Sequence, residues 1–292
     1  MSLLFVFVDG LGLAPPGPAN PLSALAGGAL APLGGKAPET PFRLIAADAC
    51  LGAPGLPQSA TGGTSLFTGV NAPALVGGHL SGFPNRALRE ALAREGLLRR
   101  ARERGARAGF ANAYTPAYFA RGRSHRRSVT TVMTECAGLR LNRLEDLRRG
   151  EAIYRDFTNR LLIEAGHDVE PLSPEEAGGR LGEMARARDL LVYEFFRTDT
   201  VGHRGSFEEA AEVIASLNRF LGAALEALDP GRDAFLLSSD HGNVEDMEGA
   251  LHTTHPVPIL LWGRAAAEWA GTAEGVSSCD VAPGVLSLLE LP

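Results

Sequence analysis

Leu3–Val8 is an unbroken run of six apolar, β-branched and aromatic residues, and it ends on a carboxylate, Asp9. A strand without polar alternation has to be buried on both faces. That is the position of a central strand in a parallel sheet covered by helices. Three further runs share this character: Leu190–Phe196, Ala234–Ser238 and Val257–Trp262. Helical patterns lie between them over Pro174–Ala187 and Ser206–Leu228. Each opens on a serine with a glutamate three residues on (Ser173 and Glu176, Ser206 and Glu209), the capping-box signature. Strands alternating with helices predict right-handed βαβ units. The fold class is therefore α/β, with an open, mostly parallel sheet and helices on both faces.

The rest of the chain is less regular. Residues 14–57 are rich in Pro, Gly and Ala and read as irregular, with a short strand at Arg43–Ala46. Asn85–Arg104 has the apolar spacing of one surface helix stopped by Gly105, and Ala106–Ala113 returns to strand character. Residues 115–172 are arginine-rich, with a strand expected at Ser128–Met133 and a helix at Gly150–Glu164. We read them as a small inserted cap, leaving 1–114 and 173–292 as the core.

Composition excludes several classes. At 292 residues and 45% hydrophobic, the chain can bury a core without disulfides or a structural metal. A net charge of −6 gives no pull toward nucleic acid or anionic lipid. Cys50, Cys136 and Cys279 are far apart and odd in number, and read as reduced core thiols. No apolar stretch is long enough to span a membrane, and the N-terminus lacks a basic signal-peptide region, so the expected location is cytoplasmic. Lys36 is the only lysine, so any anion clamp must be built from arginine.

Three of the buried strands run straight into chemistry. The first ends at Asp9, the second in a turn carrying Asp199 and His203, the third in Asp240-His241-Gly242-Asn243. His252 and His255 lie just before the fourth. In open α/β sheets the ligand crevice lies outside the carboxyl ends of the strands, so these side chains should converge. Three carboxylates with imidazoles are more than one cation needs. They suit two divalent ions, manganese or zinc among them, that relieve the mutual repulsion. A hydroxyl- and glycine-rich stretch, Ser59–Gly69, could supply a nucleophile. A serine is too weakly acidic to attack unaided, and coordination to a metal is one way to activate it. No G-x-S-x-G elbow is present, which argues against a plain Ser-His-Asp hydrolase.

These motifs resemble those of the alkaline phosphatase superfamily, in particular the branch of cofactor-independent phosphoglycerate mutase and phosphopentomutase. Asp9-Gly10-Leu11-Gly12 is similar to the opening D-G-x-G, Asp199…His203 to D-x-x-G-H, Asp240–Asn243 to D-H-G-N, and His252–Pro258 to H-T-x-x-P-V-P. The resemblance implies an alkaline-phosphatase-like core. It implies one metal held by Asp199, His203 and His252, and a second by Asp9, Asp240, His241 and the Ser59 hydroxyl. By spacing from Thr68-Gly69, Ser59 falls at the nucleophile's place, and His255 is left outside the ligand set. The mutase's acidic and histidine residues just after its nucleophile are Ala60 and Gly63 here, and its long phosphoglycerate-holding insert has no room. The implied activity is phosphoryl transfer on a small phosphate ester, most simply as a phosphatase or phosphodiesterase. The alternatives are a mutase-like intramolecular transfer or a non-enzymatic phospholigand binder. The Arg121–Arg127 stretch reads either as a solvated face or as a phosphate clamp formed by Arg123, Arg126 and Arg127, since guanidinium forks match phosphate oxygens.

Overall fold

The computed structural model describes residues 1–38, 41–122, 126–269 and 275–290. Eight strands are present among them: β1 (Leu3–Val8), β2 (Phe42–Ala47), β3 (Ala108–Phe110), β4 (Ala113–Tyr114), β5 (Asn142–Arg143), β6 (Leu190–Phe195), β7 (Ala234–Ser238) and β8 (Val257–Gly263). Six form one sheet in the order β2-β8-β7-β1-β6-β3. β7, β1, β6 and β3 are mutually parallel, and β8 runs antiparallel to both of its neighbours.

β1 shows why its sequence carries no polar residue. Leu4, Val6 and Val8 point into one core, against the helices Pro174–Arg186 and Phe207–Glu226. Leu3, Phe5 and Phe7 point into the other, with Leu66, Phe67, Leu92, Met133 and Val285. Every residue of the strand is buried. Both capping boxes form as expected, and the two helices they open pack directly on each other, Gly178 and Gly182 lying against the Phe220 and Ala224 carbonyls.

Several local expectations are corrected. Ser128–Met133 is no strand: Val129–Cys136 is an α-helix capped by the Ser128 hydroxyl. Its buried Val129, Val132 and Met133 follow helical spacing and pack into the main core, so tertiary packing overrides the β-branched composition. Gly150–Glu164 is helical only at Arg160–Glu164. Ahead of it Ile153 bridges to Asn112, and the Asp156 carboxylate accepts from the Leu161 N–H and the Thr158 hydroxyl, competing with helical pairing. The single helix expected over Asn85–Arg104 is two, Arg86–Glu95 and Leu97–Glu103, parted at Gly96 in an extended conformation. The strand expected over Ala106–Ala113 divides into β3 and β4, and β4 pairs with β5 in a separate two-stranded sheet. That small sheet stands over its own apolar cluster of Ala113, Leu144, Leu147, Ala152 and Leu162. The three cysteines are unpaired, but they are half-buried rather than core residues. No helix among the described residues is long and apolar enough to cross a membrane.

Candidate metal centre

Strand register assembles the site. Val8 pairs with Phe195 and Phe7 with Ser238, so β1, β6 and β7 end level with one another. The residues that follow, Asp9, the helix Arg197–Arg204 and the Ser239–Asn243 turn, are thereby set side by side. Gly10, at φ +71°, completes the close approach. A side chain there would meet Asp199 at 2.9 Å, so only glycine fits both the backbone and the space.

Two groups of side chains result. In the first, Asp199 and His203 share a helix face four residues apart, with Oδ1 and Nε2 at 3.3 Å. His252 Nε2 lies 3.0 Å from His203 Nε2 and 3.4 Å from Asp199 Oδ1. In the second, His241 Nε2 lies 3.3 Å from Asp9 Oδ1, 3.4 Å from Asp240 Oδ2 and 3.1 Å from the Ser59 hydroxyl. The groups adjoin: the His241 and His252 rings stack with centroids 3.7 Å apart, and Asp199, His241 and His252 also offer ligand atoms to a common point. Ser59 opens the helix Ser59–Thr68, whose Gly62 lies against the Asp240 carbonyl where a Cβ would collide.

The surroundings dictate which atoms face inward. His203 Nδ1 is 2.6 Å from the Ala250 carbonyl and His252 Nδ1 is 2.7 Å from the Pro57 carbonyl. A carbonyl can only accept, so both Nδ1 atoms carry the proton and both Nε2 lone pairs are bare. Two bare nitrogens 3.0 Å apart beside a carboxylate need a cation or a proton between them. Asp9 Oδ1 and Asp240 Oδ2 are buried without a hydrogen-bond donor. Burial, then the Asp240 and Asp199 charges, push the Asp9 carboxyl well above its usual range. Burial and Asp199 push Asp240 up to about 8. Burial and the neighbouring His252 push His241 down to about 3. Burial opposes ionisation of Asp199, but the adjacent His252 imidazole and a hydrogen bond from the Asn243 amide hold it at about 2. Orphaned buried carboxylate oxygens and inward-facing imidazole nitrogens are a donor set that divalent cations satisfy.

Glu245, which the sequence reading missed, secures the frame. It is fully buried, and one carboxylate oxygen accepts from the backbone N–H groups of Gly12 at 2.8 Å and Asn243 at 2.7 Å. The other takes the Thr253 hydroxyl and lies 3.2 Å from His255 Nδ1. His255 thus joins the framework, and the D-G-x-G, D-H-G-N and H-T segments meet on one carboxylate.

A cavity of about 540 Å³ opens beside Asp9 and Ser59. Of the three arginines singled out from the sequence, Arg126 is exposed and lines it. Arg127 is engaged with Glu135 at 2.9 Å, and Arg123 lies outside the described residues. Arg155 lines the cavity as well, and its sequence context, read as helix, gave no sign of this. Its guanidinium stands 5.2 Å from the Phe196 ring and 5.7 Å from the Tyr154 ring, makes no ion pair among the described residues, and keeps a buried Nε without an acceptor. Glu194 also faces the cavity. Burial raises its carboxyl to about 7, the Thr130 hydroxyl donates to it at 2.7 Å, and Asn112 pairs with both its backbone N–H and C=O.

The model of the metalloenzyme superfamily matches residues 170–292, the segment that supplies Asp199, His203, Asp240, His241 and His252. The 2,3-bisphosphoglycerate-independent phosphoglycerate mutase of Pseudomonas putida is 35% identical over 137 residues, which are 44% of this chain and 26% of the mutase. The corresponding mutase of Rhodopseudomonas palustris is 33% identical over 160 residues, 50% of this chain and 31% of that one. The chain thus matches between about a quarter and a third of the length of these curated relatives. Two solved structures superpose over nearly the whole chain. The PH0037 protein of Pyrococcus horikoshii has a TM-score of 0.57 at 17% identity, covering 99% of this chain and 96% of its own. The alkaline phosphatase of the Antarctic bacterium TAB5 has a TM-score of 0.57 at 13% identity, covering 99% and 98%. At these identities the likeness is one of fold: the segment that the family model matches sits in an alkaline-phosphatase-like α/β core.

Proposed function

We propose that this chain is a two-metal phosphoryl-transfer enzyme that acts on a small phosphate ester through Ser59, most simply as a phosphatase or phosphodiesterase. The observation that carries the reading is the Ser59 hydroxyl, placed 3.1 Å from His241 Nε2, beside orphaned carboxylates and at the edge of the cavity. One divalent ion would be held by Asp199, His203 and His252, the other by Asp9, Asp240, His241 and the Ser59 hydroxyl. Such ions, manganese or zinc, would supply positive charge that favours the serine alkoxide and offsets charge on the phosphoryl oxygens.

The chain's own residues do the rest. Ser59 Oγ, fixed at the first turn of its helix, gives up its proton to solvent and attacks phosphorus. The bond to the ester oxygen breaks and the alcohol leaves with a proton from solvent. The phosphoserine is then attacked by water, releasing inorganic phosphate and restoring the hydroxyl. Arg155 and Arg126 border the space the phosphate enters and match its oxygens. From the segment read as an inserted cap, Tyr118, Arg126, Tyr154 and Arg155 border this space.

The similarity to phosphoglycerate mutases supports a second reading, in which a second hydroxyl of the substrate takes the phosphoryl group back from Ser59. The compact insert favours hydrolysis, because keeping a phosphoserine from water needs an enclosing domain.

Acid quenching during turnover of a phosphate ester, with manganese supplied, should trap phosphate on the peptide containing Ser59. Ser59→Ala should abolish turnover while keeping most of the bound metal. A variant that turns over at the wild-type rate, with no phosphoenzyme trapped, would mean that water attacks directly.

A further inference from the structure

Aromatic side chains are scarce in this chain at 7%, and there are only four tyrosines. Three of the four, Tyr114, Tyr118 and Tyr154, line the cavity beside Ser59, together with Phe83 and Phe196. They form two sets. Tyr114 and Tyr118 pack with ring centroids 4.6 Å apart. Tyr154 and Phe196 share the Arg155 guanidinium. Phe83 is left 42% exposed, unusual for a phenylalanine that could have been buried in either core. The fourth tyrosine serves the same construction from below: the buried Tyr193 hydroxyl donates to the Tyr154 carbonyl at 3.0 Å and fixes the segment that carries Arg155.

A small hydroxy acid has no use for such walls. Its recognition needs charges and hydrogen bonds at every carbon, and apolar rings would exclude the water its hydroxyls hold. A flat ring gains from them, because aromatic faces stack on one another and on guanidinium planes. Arg126 and Arg155 face the same cavity and can meet the phosphate oxygens. We infer that the alcohol part of the ester carries a planar aromatic or heteroaromatic ring, as in a nucleoside monophosphate, and that Phe83 and Tyr118 are specificity-determining residues for it. This inference rests on the phosphoryl-transfer reading of the adjoining site.

The test compares adenosine 5′-monophosphate with ribose 5-phosphate, which share a primary phosphate ester and differ in the base. Calorimetric titration into manganese-loaded Ser59→Ala protein should show the nucleotide binding at least about ten-fold more tightly, the scale of one base stacked on an aromatic side chain. Adding Phe83→Ala should remove most of that ratio and leave ribose 5-phosphate within two-fold. Phe83 is partly exposed, so this variant should fold; Tyr118→Ala, expected to act in the same direction, is the second probe. Equal affinities, no detectable nucleotide binding, or tighter binding of 3-phosphoglycerate than of the nucleotide would overturn the inference. The two readings fail separately. Absence of turnover and of phosphoserine would remove the Ser59 mechanism, whereas the affinity ratio decides the ring subsite by itself.

Discussion

At the scale of single residues, the arginines show what a sequence can and cannot convey. Asp9, Asp199, His203, Asp240, His241 and His252 were legible because each follows or precedes a strand recognisable from its unbroken apolar run, and strand ends in such sheets share one edge. Nothing comparable marks an arginine. Arg127 stands in a conspicuous basic cluster and is tied to Glu135. Arg155 stands alone in sequence and reaches the cavity from a segment held by the Ile153 bridge to Asn112 and by the Tyr193 hydroxyl on the Tyr154 carbonyl. Its guanidinium is already held by two rings, so little freedom is lost when it meets an anion. Arg155→Ala should therefore raise KM for a phosphate ester by an amount corresponding to about 1.5–3 kcal/mol, the range for a charge-assisted hydrogen bond, with metal content unaltered. Arg155→Lys should recover only part, since an ammonium lacks the planar fork. Steady-state kinetics on the two variants decide it, and an unchanged KM in Arg155→Ala would remove the residue from the clamp.

At the scale of elements, the readings that failed lie where side chains capture the backbone. Long helices with capping boxes and fully buried strands were legible, because their periodicity and their packing agree. The segment between Ala113 and Leu172 was not, since its short pieces are held by local carboxylates. Asp146 is the clearest case. Its buried side chain accepts from both Arg140 terminal nitrogens, at 2.5 and 2.7 Å, from Arg149 at 2.5 Å and from the Arg143 N–H at 2.7 Å. It thereby fixes the start of the helix Leu144–Arg148 and the end of β5. The Arg140 hydrogen bonds, followed by the Arg143 N–H, hold its carboxyl well below the usual range despite burial. Asp146→Asn should destabilise the protein by about 1–3 kcal/mol, the cost of leaving hydrogen-bond donors to a charged group unsatisfied. The sign of the pH dependence follows from a depressed folded-state value. The contribution is complete above the unfolded carboxylate's value near pH ~4 and is lost as pH falls toward the lower folded value. Denaturant titrations of both proteins should therefore differ most at neutral pH and converge in acid. A constant difference at all pH values would show that packing, not charge, is what Asp146 contributes.

At the scale of the whole molecule, the sheet is built around a concentration of charge that its own residues leave unbalanced. Three strand ends deliver Asp9, Asp199 and Asp240 to one place, and among the described residues none of the three is ion-paired to a lysine or arginine. In the metal-free protein this affects global stability, because Asp9 and Asp240 follow strands central to the fold. Burial and mutual repulsion raise both carboxyls, Asp240 to about 8. A raised folded-state value means the folded protein binds the proton more tightly than the unfolded chain does. The resulting stability is present at low pH and lost as pH rises through the folded value. His241, held neutral in the fold, works in the opposite sense only below the unfolded histidine value of about 6.5. In the window from about 6.5 to above 8 His241 therefore contributes nothing, and Asp9, Asp240, the raised Glu194 and the raised His252 all act in the one direction. Protein stripped with chelator should show a melting temperature that falls across this window. Bound cations would replace the protons, so metal-supplied protein should hold its melting temperature there. It should gain about 3 kcal/mol when free metal exceeds Kd a hundred-fold. Thermal melts of the stripped and manganese- or zinc-supplied protein across this range make the comparison, with metal content measured on the same samples. Identical melting curves with and without metal throughout the window would contradict a cation-balanced site, and would require some other source of positive charge at the ends of β1, β6 and β7.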